Sequence, residues 1–261
     1  MPKKPPVILF RFDVNSSSIE QRLSRITTNW DDLIAAHKSD SFDPAAAEQR
    51  GIILKRYAEC IYQYILGATH CHHTTEDLSQ DFALRFVRGD FRNANPDRGR
   101  FRDYLKRSLR NLVTDFFRRK NSKPAGVDLK GAEANAIGSL DTAFTDQWRR
   151  QLLGITWESL KEHESNSGSL YYSVLYLRSQ RPKLNSQSLA KEFTEQYQRE
   201  VTADWFRQTL RRARRKFADL LVQEVGKTIQ SDSKQELADE LAILGLQKYV
   251  EESEPRARDQ S

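Results

Sequence analysis

Apolar residues recur along this chain at helical spacing. Ile53, Tyr57, Ile61, Tyr64 and Ile65 follow one another at intervals that place them on one buried helix face. Leu78, Phe82 and Phe86 form an i, i+4, i+8 stripe, and Phe101, Leu105, Leu109, Leu112, Val113 and Phe116 form a longer one. A third set, Phe206, Leu210, Ala213, Phe217 and Leu220, repeats the pattern further on. No strand signal is strong and no internal repeat is visible. The expected fold class is all-α, with two helical domains joined by a flexible linker.

Turn and capping residues divide these stripes. MPKKPP reads as a basic tail, and residues 1–18 are expected to be disordered. From Ile19 to about Gly67 two helices are expected, with a break near Ser39–Pro44. Thr74 or Thr75 suits the cap of the next helix, and Gly89 its end. The turn-rich loop Asn93–Gly99 precedes the long stripe that starts at Phe101. Small and polar residues over 121–147 read as the linker. The first domain is thus 19–120 and the second 148–225, with 226–261 as an acidic amphipathic helix and tail. Within the second domain a polar break is expected at Glu162–Ser169. Ser186 or Ser188 suits the cap of a short helix carrying Leu189, Ala190, Phe193 and Tyr197, and Thr202 the cap of the long helix after it. A final helix is expected over Lys234–Val250.

Composition narrows the class. Hydrophobic residues make up 38% of the 261 and charged residues 30%, with a mean hydropathy of −0.72. Four Trp, nine Tyr and thirteen Phe argue against a disordered chain and for several small helical bodies. The formal charge is +6, and its distribution says more. Phe101–Lys123 carries eight Lys/Arg against two Asp, and Thr202–Lys216 six against one, so the remainder is acidic. Basicity confined to two helices is an electrostatic footprint for nucleic acid. On the long helix from Phe101, Arg102, Lys106, Arg107, Arg110 and Arg118 are expected on the exposed side.

Candidate chemistry is sparse. His70-Cys71-His72-His73 supplies four adjacent ligand types, but they cannot easily close one tetrahedral site and no second pair follows at finger-like spacing, so the run reads as a surface turn. There is no P-loop, HExxH or convincing nucleophilic triad, and no cofactor or enzymatic activity is expected. The only cysteines are Cys60 and Cys71. With no secretory signal and no apolar run long enough to span a bilayer, the expected compartment is the cytoplasm and no membrane partner is expected. Phe91 and Phe101 flank the polar loop; aromatics there either stack on unpaired bases or close the core. Phe101 heads an apolar stripe and is assigned to the core, while Phe91 stays open between the two roles. Short helix, turn and long basic helix from Ser186 to Lys216 is the pattern of a helix-turn-helix.

The residues from Trp30 to Val225 resemble RNA polymerase sigma factors of the sigma-70 family, in a divergent, extended version of the extracytoplasmic-function (ECF) type. EDLSQDFALRF is similar to the conserved helix of region 2, with Asp77, Leu78, Gln80, Asp81 and Phe82 at matching positions and Asp81 replacing the usual Glu. FRDYLKRSLRNLVTDFFRRK resembles the segment that follows, through Phe101, Leu105, Asn111, Asp115, Arg118 and Arg119, with Tyr104 in place of Trp. Leu210-x-x-Ala213-Arg214 and Phe217-x-x-Leu220-Leu221 resemble region 4. One departure is plain: Thr202 follows Ala190 by twelve residues, an enlarged hairpin whose YQREV connector lacks the family's glycine.

The resemblance implies a factor that binds core RNA polymerase and directs promoter recognition and melting. Asp77, Leu78, Gln80, Asp81 and Arg85 would meet the β′ clamp helices. Phe91, Arg92, Asn93, Asn95, Arg98, Arg100, Arg107, Asn111, Arg118 and Arg119 would engage the opened promoter. Thr202, Arg207, Gln208, Arg211, Arg214 and Arg215 would bind the upstream duplex element, with the β flap as a second polymerase contact and an anti-sigma factor as a candidate regulator. The alternatives are a stand-alone helix-turn-helix regulator that binds symmetric duplex sites, and a sigma-like decoy that keeps the polymerase contact alone.

Overall fold

The computed structural model describes residues 44–88, 100–120, 130–229 and 233–251, and over these the protein is all-α. The elements are α1 (Pro44–Thr69), α2 (His72–Arg88), α3 (Phe101–Lys120), α4 (Lys130–Ser167), α5 (Tyr171–Gln180), α6 (Ser186–Tyr197), α7 (Ala203–Gly226), α8 (Lys234–Ile243) and α9 (Gln247–Glu251). The chain forms two compact units. One comprises 25–152 with 225–244, and the other centres on 153–224 with the residues from Gly245 on. The expected tail 1–18, the helix from Ile19 and its break, Gly89 and the first part of the linker lie outside the described residues.

In the first unit, α1 and α2 form a hairpin closed by a sharp corner. His70 adopts the left-handed conformation (φ 52°) and its amide donates to the Leu66 carbonyl (2.8 Å), ending α1. The HCHH run is this corner: the Tyr62 hydroxyl and His72 Nδ1 are 2.9 Å apart, and His73 Nδ1 lies 3.2 Å from Asp77 Oδ2. At the open end, Arg50 Nε donates to the Val87 carbonyl (2.6 Å), tying the start of α1 to the end of α2. The helix begins earlier than the expected Thr74 or Thr75 cap. Thr75 is buried inside the first turn, and its hydroxyl donates back to the Cys71 carbonyl (2.9 Å) rather than capping.

The stripes meet as their spacing requires. Tyr57 stacks on Trp148 with centroids 4.6 Å apart, and Phe101 meets the edge of Tyr57 at 5.3 Å. The Arg56 guanidinium sits over the Trp148 ring, 5.5 Å from its centroid. Tyr64 donates to Asp141 Oδ1 (3.2 Å), and burial followed by the Asp141 charge pushes its phenol up to about 12. Burial likewise raises the Cys60 thiol, which keeps it protonated and inert.

Two boundaries differ from expectation. Lys130 onward, placed in the linker, is helix, because Leu140, Phe144 and Trp148 form an i, i+4, i+8 stripe whose last two members are buried. That stripe is diluted by Gly131 and Gly138 in a small-residue context, which masks it in the sequence. The segment Val225–Leu244, expected as part of a separate extension, belongs to the first unit.

The second unit is built on Val174, Leu177, Leu189, Ala190, Phe193, Phe206 and Leu210. The expected break at Glu162–Ser169 shrinks to its last residues. α4 runs to Ser167 and stops at Gly168, whose φ of +68° a glycine tolerates. Glu164 explains why its segment stays helical: its carboxylate accepts from the Ser173 amide (3.0 Å) and hydroxyl (2.6 Å), capping α5 from the preceding helix. Asn185, not Ser186 or Ser188, caps α6, its side chain accepting from the Ser188 amide (2.9 Å). Thr202 caps α7 as expected, accepting from the Trp205 amide (3.1 Å).

The enlarged hairpin is accommodated by length in α6 and by a turn at Gln198. Gln198 takes the left-handed conformation (φ 52°, ψ 37°) normally filled by glycine. In α6, Phe193 packs against Trp205 (5.7 Å) and Phe206 (6.0 Å). The expected helix Lys234–Val250 is two pieces. Ser233 caps α8, and Gly245 (φ +63°) separates it from α9.

Trp148 joins α1, α3 and α4 through one aromatic cluster. Trp148→Ala should therefore cost about 3–5 kcal/mol, read as a fall in the urea midpoint at unchanged slope.

Candidate protein- and nucleic-acid-binding faces

An amphipathic helix that buries one stripe must show another face, and on α2 that face is a mixed one. Phe82, Phe86 and Thr75 are buried. Asp77, Gln80, Asp81, Leu84 and Arg88 fall on the opposite side at intervals of three, one, three and four. Arg85 holds Asp81 in a bidentate pair, with Nε to Oδ1 3.0 Å and Nη2 to Oδ2 2.6 Å. Leu78 is half-buried at the rim. Leu84 was not anticipated, yet it is 55% exposed in the middle of the polar face. Its signal was legible: it is two residues past Phe82 and so points away from the buried stripe. An apolar side chain ringed by Asp77, Gln80, Asp81 and Arg88 suits a partner helix offering an apolar contact and a basic rim.

α3 separates its faces in the same way. Phe101, Leu105, Leu109, Leu112 and Val113 are buried, and Phe116 only partly. Arg107, Asn111, Arg118 and Arg119 are exposed, with Asp115 among them, 3.8 Å from Arg118. Arg110 instead turns to Asp141 (2.6 Å), and Lys106 to Asp103 (2.9 Å). Of the residues expected at an opened promoter, Phe91, Arg92, Asn93, Asn95 and Arg98 lie outside the described residues.

Two arginines at the start of α3 depart from expectation. Arg102, expected on the exposed side, is 4% exposed and donates from Nη1 to Oε1 of Glu240 in α8. Arg100, expected at DNA, places Nε 2.6 Å from the other oxygen of the same carboxylate. Glu240 is itself 2% exposed. Burial pushes its carboxyl up from the ordinary value, and Arg102 and Arg100 pull it back. Sequence periodicity missed this because the partner lies 138 residues away.

On α7, Phe206, Leu210, Ala213 and Phe217 are buried, while Arg207, Gln208, Arg211, Arg214 and Arg215 are exposed. Arg207 is paired with Asp204 one turn before it. A cleft of about 420 Å³ runs beside this face and is lined by Arg178, Asn185, Ser186, Arg207, Arg211 and Arg214, among others. Arg178, not anticipated, donates to the Leu184 carbonyl (2.6 Å) and so fixes the turn into α6. The Thr202 hydroxyl is engaged in the cap described above.

Residues 53–123 match the Sigma-70 region 2 family model. The match runs from inside α1 through α2 and α3 and ends just past α3, so it covers both outer faces described for the first unit and none of the second. No curated protein and no solved structure shows a significant match to the chain. No helix among the described residues is long and apolar enough to cross a membrane.

Loss of the buried and of the exposed charge pair should differ in size. Arg102→Met leaves a buried carboxylate short of one counter-charge and should cost about 3–5 kcal/mol. Arg85→Met breaks only a solvent-exposed pair and should cost less than about 1 kcal/mol in the same urea titration.

Proposed function

We propose that the protein is a sigma-type transcription initiation factor that binds core RNA polymerase and directs it to promoter DNA. The observation that carries the reading is a coincidence: the segment similar to sigma-70 region 2 is the part of the first unit that exposes two chemically unlike faces. On α2, Asp77, Gln80, Asp81 and Arg85 surround Leu84, with Leu78 at the edge, and this face docks on the β′ clamp helices. On α3, Arg107, Asn111, Arg118 and Arg119 meet the opened strand, their guanidiniums neutralising phosphates and Asn111 offering an amide to a base edge. The loop with Phe91, Arg92, Asn93, Asn95 and Arg98 lies just ahead of that helix in sequence and takes part in strand opening.

The second unit supports an extracytoplasmic-function type of factor, since a capped helix-turn-helix follows the region 2-like unit. Arg207, Gln208, Arg211, Arg214 and Arg215 form one exposed row on α7 that fits an upstream duplex groove. A factor that acts on core polymerase would work in the cytoplasm and carry out no enzymatic step of its own. An anti-sigma factor would act by covering the α2 face.

The purified protein should form a one-to-one complex with core polymerase. Leu84→Asp should weaken that complex about tenfold or more, roughly 1.4 kcal/mol, with the thermal melt unchanged. Absence of any complex by size exclusion would sink the reading. Replacing Arg211 and Arg214 together by Gln should flatten the salt dependence of duplex binding by about two in log–log slope, near 0.9 for each phosphate no longer neutralised.

A further inference from the structure

The trio Arg100, Arg102 and Glu240 lies where α3 begins. Arg100 provides the carbonyl that accepts from the Asp103 and Tyr104 amides (3.0 and 3.2 Å), so its side chain sits at the positive end of the helix dipole. Two guanidiniums at a helix N-terminus make a site for a compact oxyanion, and the site is occupied: one carboxylate bridges both arginines. The occupant comes from α8, a helix of ten residues. Beyond Glu240, its buried anchors are Leu241 and the following Leu244, while Lys234, Gln235, Glu236, Ala238, Asp239, Ala242 and Ile243 are exposed. Such a short helix with a narrow apolar footing holds its place weakly on its own.

A buried ion pair seldom stabilises a fold more than apolar residues of the same size would. Arg102 and Glu240, sunk at this spot with Arg100 half-buried beside them, therefore ask for a reason other than stability. Both arginines fall at the head of the helix whose outer face carries Arg107, Asn111 and Arg118.

We propose that Arg100 and Arg102 form a phosphodiester-binding site of single-stranded DNA, and that α8 closes it with Glu240 acting as an internal stand-in for the phosphate. The inference rests on the reading of α3 as the helix that faces opened DNA. Binding of a strand at this site exchanges a phosphate for the Glu240 carboxylate and releases α8 from the first unit. The site adds Arg102 to the nucleic-acid contacts and gives α8 a role as a gate on them.

The test uses the full chain and a fluorescein-labelled single-stranded deoxyoligonucleotide. Glu240→Gln should bind it several-fold more tightly than the unaltered protein, with a salt slope steeper by about 0.7, the contribution of one phosphate contact to a single strand. Glu240→Gln together with Arg100→Gln should give back most of that gain. Hydrogen exchange supplies a second reading that needs no variant: saturating oligonucleotide should speed exchange of the α8 amides. Equal or weaker binding by Glu240→Gln overturns the proposal, as does unchanged or slower α8 exchange under saturation. If the variant does not fold, the exchange measurement alone decides. Oligonucleotide binding that depends on Arg107 and Arg118 while α8 stays protected overturns the gate and leaves the initiation-factor reading intact.

Discussion

Trp148 lies face to face with Tyr57, 4.6 Å away, and Phe101 presses on the edge of the same tyrosine. This cluster is the contact on which the rest of the first unit depends. It joins residues from α1, α3 and α4 that are otherwise far apart in sequence. It also fixes the rotation of α3 about its own axis, because Phe101 at its head is held while Leu105 and Leu109 follow at helical spacing. Once that rotation is set, Arg107, Asn111 and Arg118 have only the outer side left. Exposure of the basic face is thus a consequence of aromatic packing on the opposite side of the helix.

The same logic governs α2. Phe82 and Phe86 are held inside, so Asp77, Gln80, Asp81 and Leu84 are turned outward as a set. Two helices, α2 and α3, that each spend one stripe on a shared core leave two independent surfaces. One mixes both charges around an apolar centre, and the other is basic with an amide. A protein partner and a nucleic acid can be held together by such a unit without either competing for the other's residues.

Much of this was legible because it is local. The stripes at 53–65, 78–86, 101–113 and 206–217 announce helices, their buried faces and by subtraction their exposed ones. Thr202 as a cap and the arginine row on α7 followed from spacing alone. What stayed hidden depends on partners distant in sequence. Glu164 keeps a polar stretch helical because it caps the next helix, and Asn185 displaces two serines as the cap by its geometry. Arg102 reads as a surface residue on any helical wheel, and only Glu240 explains its burial. Leu140 and Phe144 were masked by glycines and small residues that otherwise mark a linker. Gln198 fills a left-handed turn for which a glycine is the ordinary choice, so the connector carried no turn signal.

The central claim is that this chain brings polymerase to DNA and helps to open it. Permanganate attacks thymines that have lost their stacking, so it reads strand opening directly. DNA fragments recovered with the tagged protein from cells would be treated with core polymerase, with the purified chain, and with both. The account predicts reactive thymines only where both are present, clustered in one short stretch of each active fragment. Duplex that remains unreactive on every recovered fragment, with the chain and polymerase both bound, would contradict it.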